Sequence, residues 1–424
     1  MCDTFAVGPS HTADGTSIFA KNSDREPDET HLVISCPRVE HPEGWDLRCT
    51  YVSIPQARAT HALVICKPFW IWGAEMGVNE KGLVIGNEAL FTRVRPEKRP
   101  GLIGMDLLRL ALERAETAEE AAEVIIDLLK RYGQSGPCGY RDKKFTYMNS
   151  FLIMDRSQVI VLETLGRDYA LRRRKDHAVI SNGITLASDW EQSSLPQGTD
   201  IGSRSDRIMT YFAGSSWRRG ANEEGIMSRQ GSFSVQDAFS LLRSHWGEKP
   251  FRGFNRDVCM HARDPFIRKS QTTGSLVVEL HPRERFRIFV TAGSAPCLTP
   301  FKPFLPAVPW EAAGRGEASF DRDSSWWTHE TMHMNAMMRS HEFRSSVTKR
   351  ICAVEDQWCR VFPAHAWDAR DTSLVKVSHG AFEQAVEIDE AMLNEMSGVK
   401  SSGLDLRSFF WKKIAHRNGI PVVG

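Results

Sequence analysis

The chain opens Met1-Cys2-Asp3-Thr4-Phe5-Ala6-Val7, turns through Ala13-Asp14-Gly15, and returns as Ser17-Ile18-Phe19-Ala20-Lys21-Asn22-Ser23-Asp24-Arg25. Two short runs rich in apolar and β-branched residues flank an Asp-Gly pair, which is a hairpin signal. Counting back from that turn sets Cys2 opposite residues 24 to 27, so the hairpin delivers Asp24 to the neighbourhood of the chain terminus. Cys2 is small enough for the initiator Met1 to be trimmed. Trimming leaves a thiol and a free α-amine on one residue, with pKa values of about 8.5 and about 8. The amine then serves as general base for its own thiol near neutral pH.

The sequence outside this hairpin excludes several classes. The 424 residues carry 54 basic and 53 acidic side chains. Such a balance argues against nucleic acid or an anionic membrane as the main partner. The nine cysteines are odd in number and widely spaced, with no C-x-x-C. They form neither a disulfide framework nor a zinc knuckle, and the eight besides Cys2 read as packing residues. No secretory signal precedes Cys2 and no apolar run spans a bilayer, so a cytoplasmic protein is expected.

Strands are expected at His31–Ser35, His61–Cys66, Trp70–Met76 and Gly82–Asn87. Two amphipathic helices follow at Leu102–Glu113 and Ala118–Tyr132. A four-strand meander is expected over Asn149–Asp155, Gln158–Glu163, Tyr169–Arg173 and Ala178–Ser181. Helices follow at Ser203–Phe212 and Val235–Ser244, then a hairpin of Thr272–Leu280 and Arg285–Thr291. The Pro- and Gly-rich stretch from Ser294 to Asp323 reads as a linker. Ser324–Phe362 and Phe382–Met396 read as helical. This alternation of strand and helix blocks suits two sheets between helices, an α+β sandwich.

In order along the chain, CDTF (Cys2–Phe5), AKNSDR (Ala20–Arg25), GVNEKGLVIGNEA (Gly77–Ala89), NSFLIMD (Asn149–Asp155), VISNG (Val179–Gly183), VCMHA (Val258–Ala262), QTTGSLVVEL (Gln271–Leu280) and FKPF (Phe301–Phe304) occur. This series resembles the secernin/dipeptidase family of N-terminal-nucleophile cysteine hydrolases, related to choloylglycine hydrolases and penicillin V acylases. The resemblance implies a four-layer αββα domain over residues 2–305 and a mainly helical C-terminal extension over residues 306–424. It implies Cys2 as nucleophile and Asp24 as acceptor for the α-amine. Lys21 stands where the acylase branch has an arginine, and would favour the thiolate or bind substrate. Asn87, on the strand face opposite Glu88, and Asn182 are expected as oxyanion donors or substrate holders. One of Arg204 and Arg207 is expected to supply the arginine of the acylase site.

The implied activity is amide-bond hydrolysis by a dipeptidase, with an acylase or amidase on small N-acyl compounds as the alternative. No cofactor and no metal are expected, and the partner is a small peptide or N-acyl substrate. A homo-oligomer is allowed. A competing motif, His329-Glu330-Thr331-Met332-His333, fits the H-E-x-x-H pattern of a zinc metallopeptidase, but no third ligand is supported by spacing. A non-catalytic secernin-like regulator of secretion is the remaining reading.

Overall fold

The computed structural model describes residues 1–247, 255–283, 285–306, 316, 318–368, 370–396, 399 and 406–423. Its first sheet has six strands. These are β1 (Asp3–Val7), β2 (Ser17–Arg25), β10 (His177–Ile180), β12 (Gln271–His281), β13 (Arg285–Val290) and β14 (Lys302–Phe304), in the order β10-β1-β2-β12-β13-β14. The second sheet has eight: β3 (His31–Cys36), β4 (Leu63–Pro68), β5 (Met76–Asn79), β6 (Val84–Leu90), β7 (Met148–Met154), β8 (Val159–Leu165), β9 (Asp168–Arg174) and β11 (Gln192–Ser193). Their order is β11-β9-β8-β7-β6-β5-β4-β3.

Strand parity divides the side chains between layers. Ala6, Phe19, Leu276 and Val278 of the first sheet meet Val64, Val84, Leu152 and Val161 of the second in a core between the sheets. Phe5, Ile18, Ala20, Val277 and Phe289 point the other way. They pack on Ile226 of α4 (Ser215–Met227) and on Val235, Ala238 and Phe239 of α5 (Val235–Leu242). The outer face of the second sheet, with Ile65, Ile85, Phe151 and Leu162, is covered by α1 (Gly104–Arg114) and α2 (Ala118–Tyr132). The layer order is therefore αββα, as the resemblance implies. A further cluster joins α6 (Ser325–Met337), α7 (His341–Val361), α8 (Thr372–Met396) and α9 (Leu406–Asn418) to Cys259, Ala295, Cys297 and Leu298. Among the described residues no helix is long and apolar enough to cross a membrane.

Several expectations need correction. The first hairpin forms, but its register pairs Asp3 with Asn22 and Val7 with Ile18. Cys2 thus stands beside Ser23 rather than opposite residues 24 to 27. The connection between the two strands contains a 3-10 turn at Pro9–His11 as well as the bends around Asp14-Gly15. Residues 70–75 form turns rather than strand; β5 begins at Met76. The expected meander has three strands. Its fourth, β10, leaves the sheet and pairs with β1, Thr4 against Ile180. That crossing brings Asn182 to Cys2. Residues 307–315 and 317 of the expected linker lie outside the described residues, and 302–304 of it form β14 against β13. Ser340 caps α7 and breaks the expected long helix after Met337.

Candidate functional site

Thr4, Lys21, Gly86 and Glu88 face one another between the sheets. A Cβ on Gly86 would come within 2.7 Å of the Lys21 side chain, so glycine lets the lysine lie flat on β6. Lys21 Nζ donates to the Asn87 carbonyl at 2.7 Å and to Glu88 Oε1 at 3.0 Å. Thr4 Oγ1 donates to the same carboxylate. Burial works against charge on Lys21, but Glu88 beside it, together with Cys2 and Glu75, more than offsets this and the ammonium is held well above its usual range.

Cys2 sits at the end of this buried row. Its Sγ accepts from the Asp24 backbone N–H at 3.2 Å and lies 4.0 Å from Glu75 Oε2. Its backbone nitrogen donates to Asn182 Oδ1 at 2.7 Å. Its carbonyl accepts from Ser181 Oγ at 3.2 Å and from Arg218 Nη1 at 2.9 Å. With Met1 in place, burial pushes the Cys2 thiol up to about 12, against the opposing pull of Lys21. The thiol is then protonated and a poor nucleophile at neutral pH.

Asp24 and Asn182 each accept from a nitrogen at the chain terminus, Met1 and Cys2 respectively. The Met1 terminal ammonium donates to the Asp24 carbonyl at 3.3 Å. Asp24 Oδ1 accepts from Thr272 Oγ1 at 2.6 Å, while its buried Oδ2 has no hydrogen-bond partner. Burial raises this carboxyl to about 6, although the terminal ammonium and Arg218 oppose it. Asn182 Nδ2 is committed to the Ala89 carbonyl at 3.0 Å, so its oxygen faces Cys2. Its oxygen, and not its amide nitrogen, is the atom bonded to the Cys2 nitrogen.

Asn87 lies elsewhere than expected. It is on the face opposite Glu88, but the site uses the Glu88 face; Asn87 points with Ile85 toward the α1 layer. Its Nδ2 donates to Asn149 Oδ1 at 2.9 Å and its Oδ1 has no partner. Asn149 continues the chain to Gln134 Oε1 at 2.9 Å. Asn87→Ala is therefore expected to lower stability by about 1–3 kcal/mol, the cost of a broken buried hydrogen bond, with kcat falling less than roughly tenfold. Urea denaturation together with steady-state kinetics checks this. A hundredfold loss of kcat at unchanged stability would restore the oxyanion role.

Neither Arg204 nor Arg207 reaches Cys2. Arg204 ends a 3-10 helix at Ile201–Arg204, and Arg207 is exposed at the first turn of α3 (Arg207–Phe212). The arginine of the site is Arg218 on α4. Its guanidinium is fully buried, pairs with Asp3, and donates through Nη2 to Asn182 Oδ1 at 2.7 Å. Sequence reading missed it because α4 carries Gly220 and Gly225 and few apolar residues. The available signal was Asp3, an acidic residue on a buried strand that requires a cation.

The two imidazoles of the H-E-x-x-H motif do not converge on one point. His329 Nδ1 meets Asp389 at 3.1 Å and its Nε2 meets the Ser294 carbonyl at 2.7 Å. His333 Nδ1 meets Glu330 at 3.1 Å and its Nε2 meets Gln271 at 3.2 Å. Glu355, the downstream glutamate at a possible distance for a third ligand, is taken by Arg243 at 2.6 Å.

A cavity of 1460 Å³ opens beside the site. Met1 and Asp24 line it, and Cys2 does not. Its walls combine Phe91, Phe145, Phe212, Phe266 and Phe409 with Arg93, Arg95, Lys144, Lys269 and Lys413. Carboxylates are also present; Asp24 keeps a buried oxygen without a hydrogen-bond partner, and the others are engaged. Asp28 holds Arg141 and Arg417, Glu29 holds Arg25, Glu26 and Asp264 accept backbone N–H groups, and Asp206 caps α3.

The sequence model of the acyl-coenzyme A:6-aminopenicillanic acid acyl-transferase family matches residues 11–175. This stretch includes Lys21, Asp24 and Asn87, and ends before Asn182 and Arg218. Among solved structures, one variant of conjugated bile acid hydrolase from Clostridium perfringens aligns with a TM-score of 0.41 at 15% identity, over 68% of this chain and 88% of that one. A second variant of the same enzyme aligns at 0.41 and 16%, over 68% and 88%. The Caenorhabditis elegans ortholog of N-acylethanolamine-hydrolyzing acid amidase aligns at 0.34 and 12%, over 65% and 91%.

Proposed function

We propose that this chain hydrolyses amide bonds through Cys2, exposed as the N-terminal residue by loss of Met1, and that its substrate is a small N-acyl compound bearing a carboxylate. One observation carries the reading: Cys2 is held through its Sγ, nitrogen and carbonyl by Asp24, Asn182 and Arg218, beside a large cavity that Met1 and Asp24 line and Cys2 does not. Removing Met1 opens the thiol to that cavity and turns the nitrogen bonded to Asn182 into an α-amine. The family match over residues 11–175 supports acyl chemistry at this site.

The mechanism follows from the neighbours. The α-amine takes the thiol proton, and Sγ attacks the substrate carbonyl carbon. The ammonium so formed, steadied by Asn182 Oδ1 and by the Asp24 carboxylate, protonates the leaving amine as the C–N bond breaks. A thioester on Cys2 results. Water then attacks it with the α-amine as base, releasing the acid and the thiol. The Asp24 N–H and the charge of Lys21 favour the thiolate throughout.

The cavity chemistry separates the two substrate classes. A carboxylate and an apolar acyl group suit walls of phenylalanines and of Arg93, Arg95, Lys144, Lys269 and Lys413, cations that form no ion pair among the described residues. A dipeptide adds a free ammonium, and the wall carboxylates other than Asp24, which serves the Cys2 amine in this mechanism, already hold partners. The dipeptidase reading implied by the secernin resemblance is therefore second. The test is amine release from matched panels of N-acyl amino acids and dipeptides. N-acyl amino acids are expected to give kcat/KM at least roughly tenfold higher, about the discrimination of one buried polar mismatch. The reverse preference would restore the dipeptidase. Turnover of neither panel by protein lacking Met1 would remove the hydrolase reading.

A further inference from the structure

Away from Cys2, four side chains from three segments bring their ligand atoms together. His245 follows α5, Cys259 and His261 lie in the segment before β12, and Cys297 lies in the loop before β14. One ring nitrogen or sulfur from each falls within 4.8 Å of all the others. His261 Nε2 is 3.0 Å from His245 Nε2, 3.3 Å from Cys297 Sγ and 3.5 Å from Cys259 Sγ. One imidazole nitrogen carries one proton or one lone pair, so it satisfies one such contact as a hydrogen bond. Three neighbours converging on it call for a different centre.

We propose that His245, Cys259, His261 and Cys297 form a tetrahedral site for a zinc ion. Zn–N and Zn–S bonds of about 2.0 and 2.3 Å give tetrahedral edges of about 3.3 Å between nitrogens and about 3.5 Å between nitrogen and sulfur. The separations around His261 Nε2 already sit near those edges, so little movement is needed to bind the ion. Two thiolates and two neutral imidazoles balance the charge of Zn²⁺ and leave no open position, which makes the site structural. Outer contacts hold the ligand loops. Asp257 accepts from the Trp246 N–H at 2.8 Å and from Arg268 at 2.6 Å, and Arg268 Nε donates to the His261 carbonyl at 3.2 Å. Such a shell is typical of metal sites. A cavity of 620 Å³ lined by His245, His261 and Cys297 gives the ion a way in.

The site is also tied to the hydrolytic centre. Met260, between two of the ligands, donates its N–H to Thr272 Oγ1 at 2.9 Å and accepts from the Thr272 N–H at 3.0 Å. Thr272 in turn holds Asp24. The ion thus pins the loop that supports the Asp24 carboxyl. A pattern search does not find this site, because 16 residues separate His245 from His261 and 36 separate His261 from Cys297.

Elemental analysis of the full chain, purified under reducing conditions without chelator and reloaded with Zn²⁺, tests the proposal. About one zinc per chain is expected. Cys259→Ser and Cys297→Ser should lower the content roughly tenfold or more, while His329→Ala should keep it. If the serine variants do not fold, wild-type protein loaded with Co²⁺ decides: thiolate-to-cobalt charge-transfer absorption with intense visible bands is expected of a tetrahedral site. Wild-type protein that holds no stoichiometric zinc would overturn the proposal. So would folded serine variants that keep the ion, a cobalt spectrum without thiolate bands, or a Cys259–Cys297 disulfide in the reduced preparation.

Discussion

Cys2→Ala is expected to abolish turnover, by roughly 10⁴-fold or more, the scale seen when a nucleophile is removed. Cys36→Ala and Cys359→Ala should retain activity, because neither thiol lies near Asp24 or Asn182. The same expectation fixes the form of the active protein. With Met1 attached, the nitrogen at position 2 is an amide and cannot take a proton from the thiol. Met1 lines the cavity where Cys2 does not, and burial raises the thiol to about 12. Intact-mass measurement of active protein should therefore show loss of one methionine residue. Retention of near-normal activity by Cys2→Ala, or full activity in protein that keeps Met1, would place the nucleophile elsewhere.

The elements that hold Cys2, Lys21 and Asp24 were legible in the sequence because they are local. One hairpin of adjacent strands carries all three, and a turn signal with alternating apolar residues defines it. The helix pair α1 and α2 was equally legible, since Thr117 caps α2 by accepting from the Glu120 N–H and apolar residues recur on one face. What escaped depends on contacts distant in sequence. β10 reads like the fourth strand of a meander, and its partner β1 lies at the other end of the domain. Arg218 meets Asp3 across 215 positions. For Asn87 the parity was right and the choice of face was not. Parity says which residues share a side, and the opposite sheet decides which side is the site. The cysteines show the same limit. Cys259 and Cys297 read as packing residues, and only folding brings them to His245 and His261.

Arg218 gives the second large effect, and a double substitution separates its two roles. The guanidinium is buried against Asp3, and it also donates to the Cys2 carbonyl and to Asn182 Oδ1. Arg218→Met leaves Asp3 buried without its cation. Breaking one side of a buried ion pair costs about 3–5 kcal/mol, so the single variant should be strongly destabilised. Adding Asp3→Asn removes the stranded charge and should restore much of that stability, as read by urea denaturation. Activity should not return with it. Without the guanidinium only the bond from Asn182 Nδ2 to the Ala89 carbonyl keeps the Asn182 oxygen toward the Cys2 nitrogen, and misplacement of about 1 Å in such a site costs on the order of a hundredfold in kcat. Arg218→Lys should also fail, because a single ammonium cannot span Asp3, the Cys2 carbonyl and Asn182 as a planar fork does. Arg218 is thus a positioning residue, and the signature of that role is a folded Asp3→Asn/Arg218→Met protein whose kcat stays low. If that protein regains both stability and kcat, Arg218 serves only to neutralise Asp3, and the orientation of the Cys2 amine must rest on Asn182 and Asp24 alone.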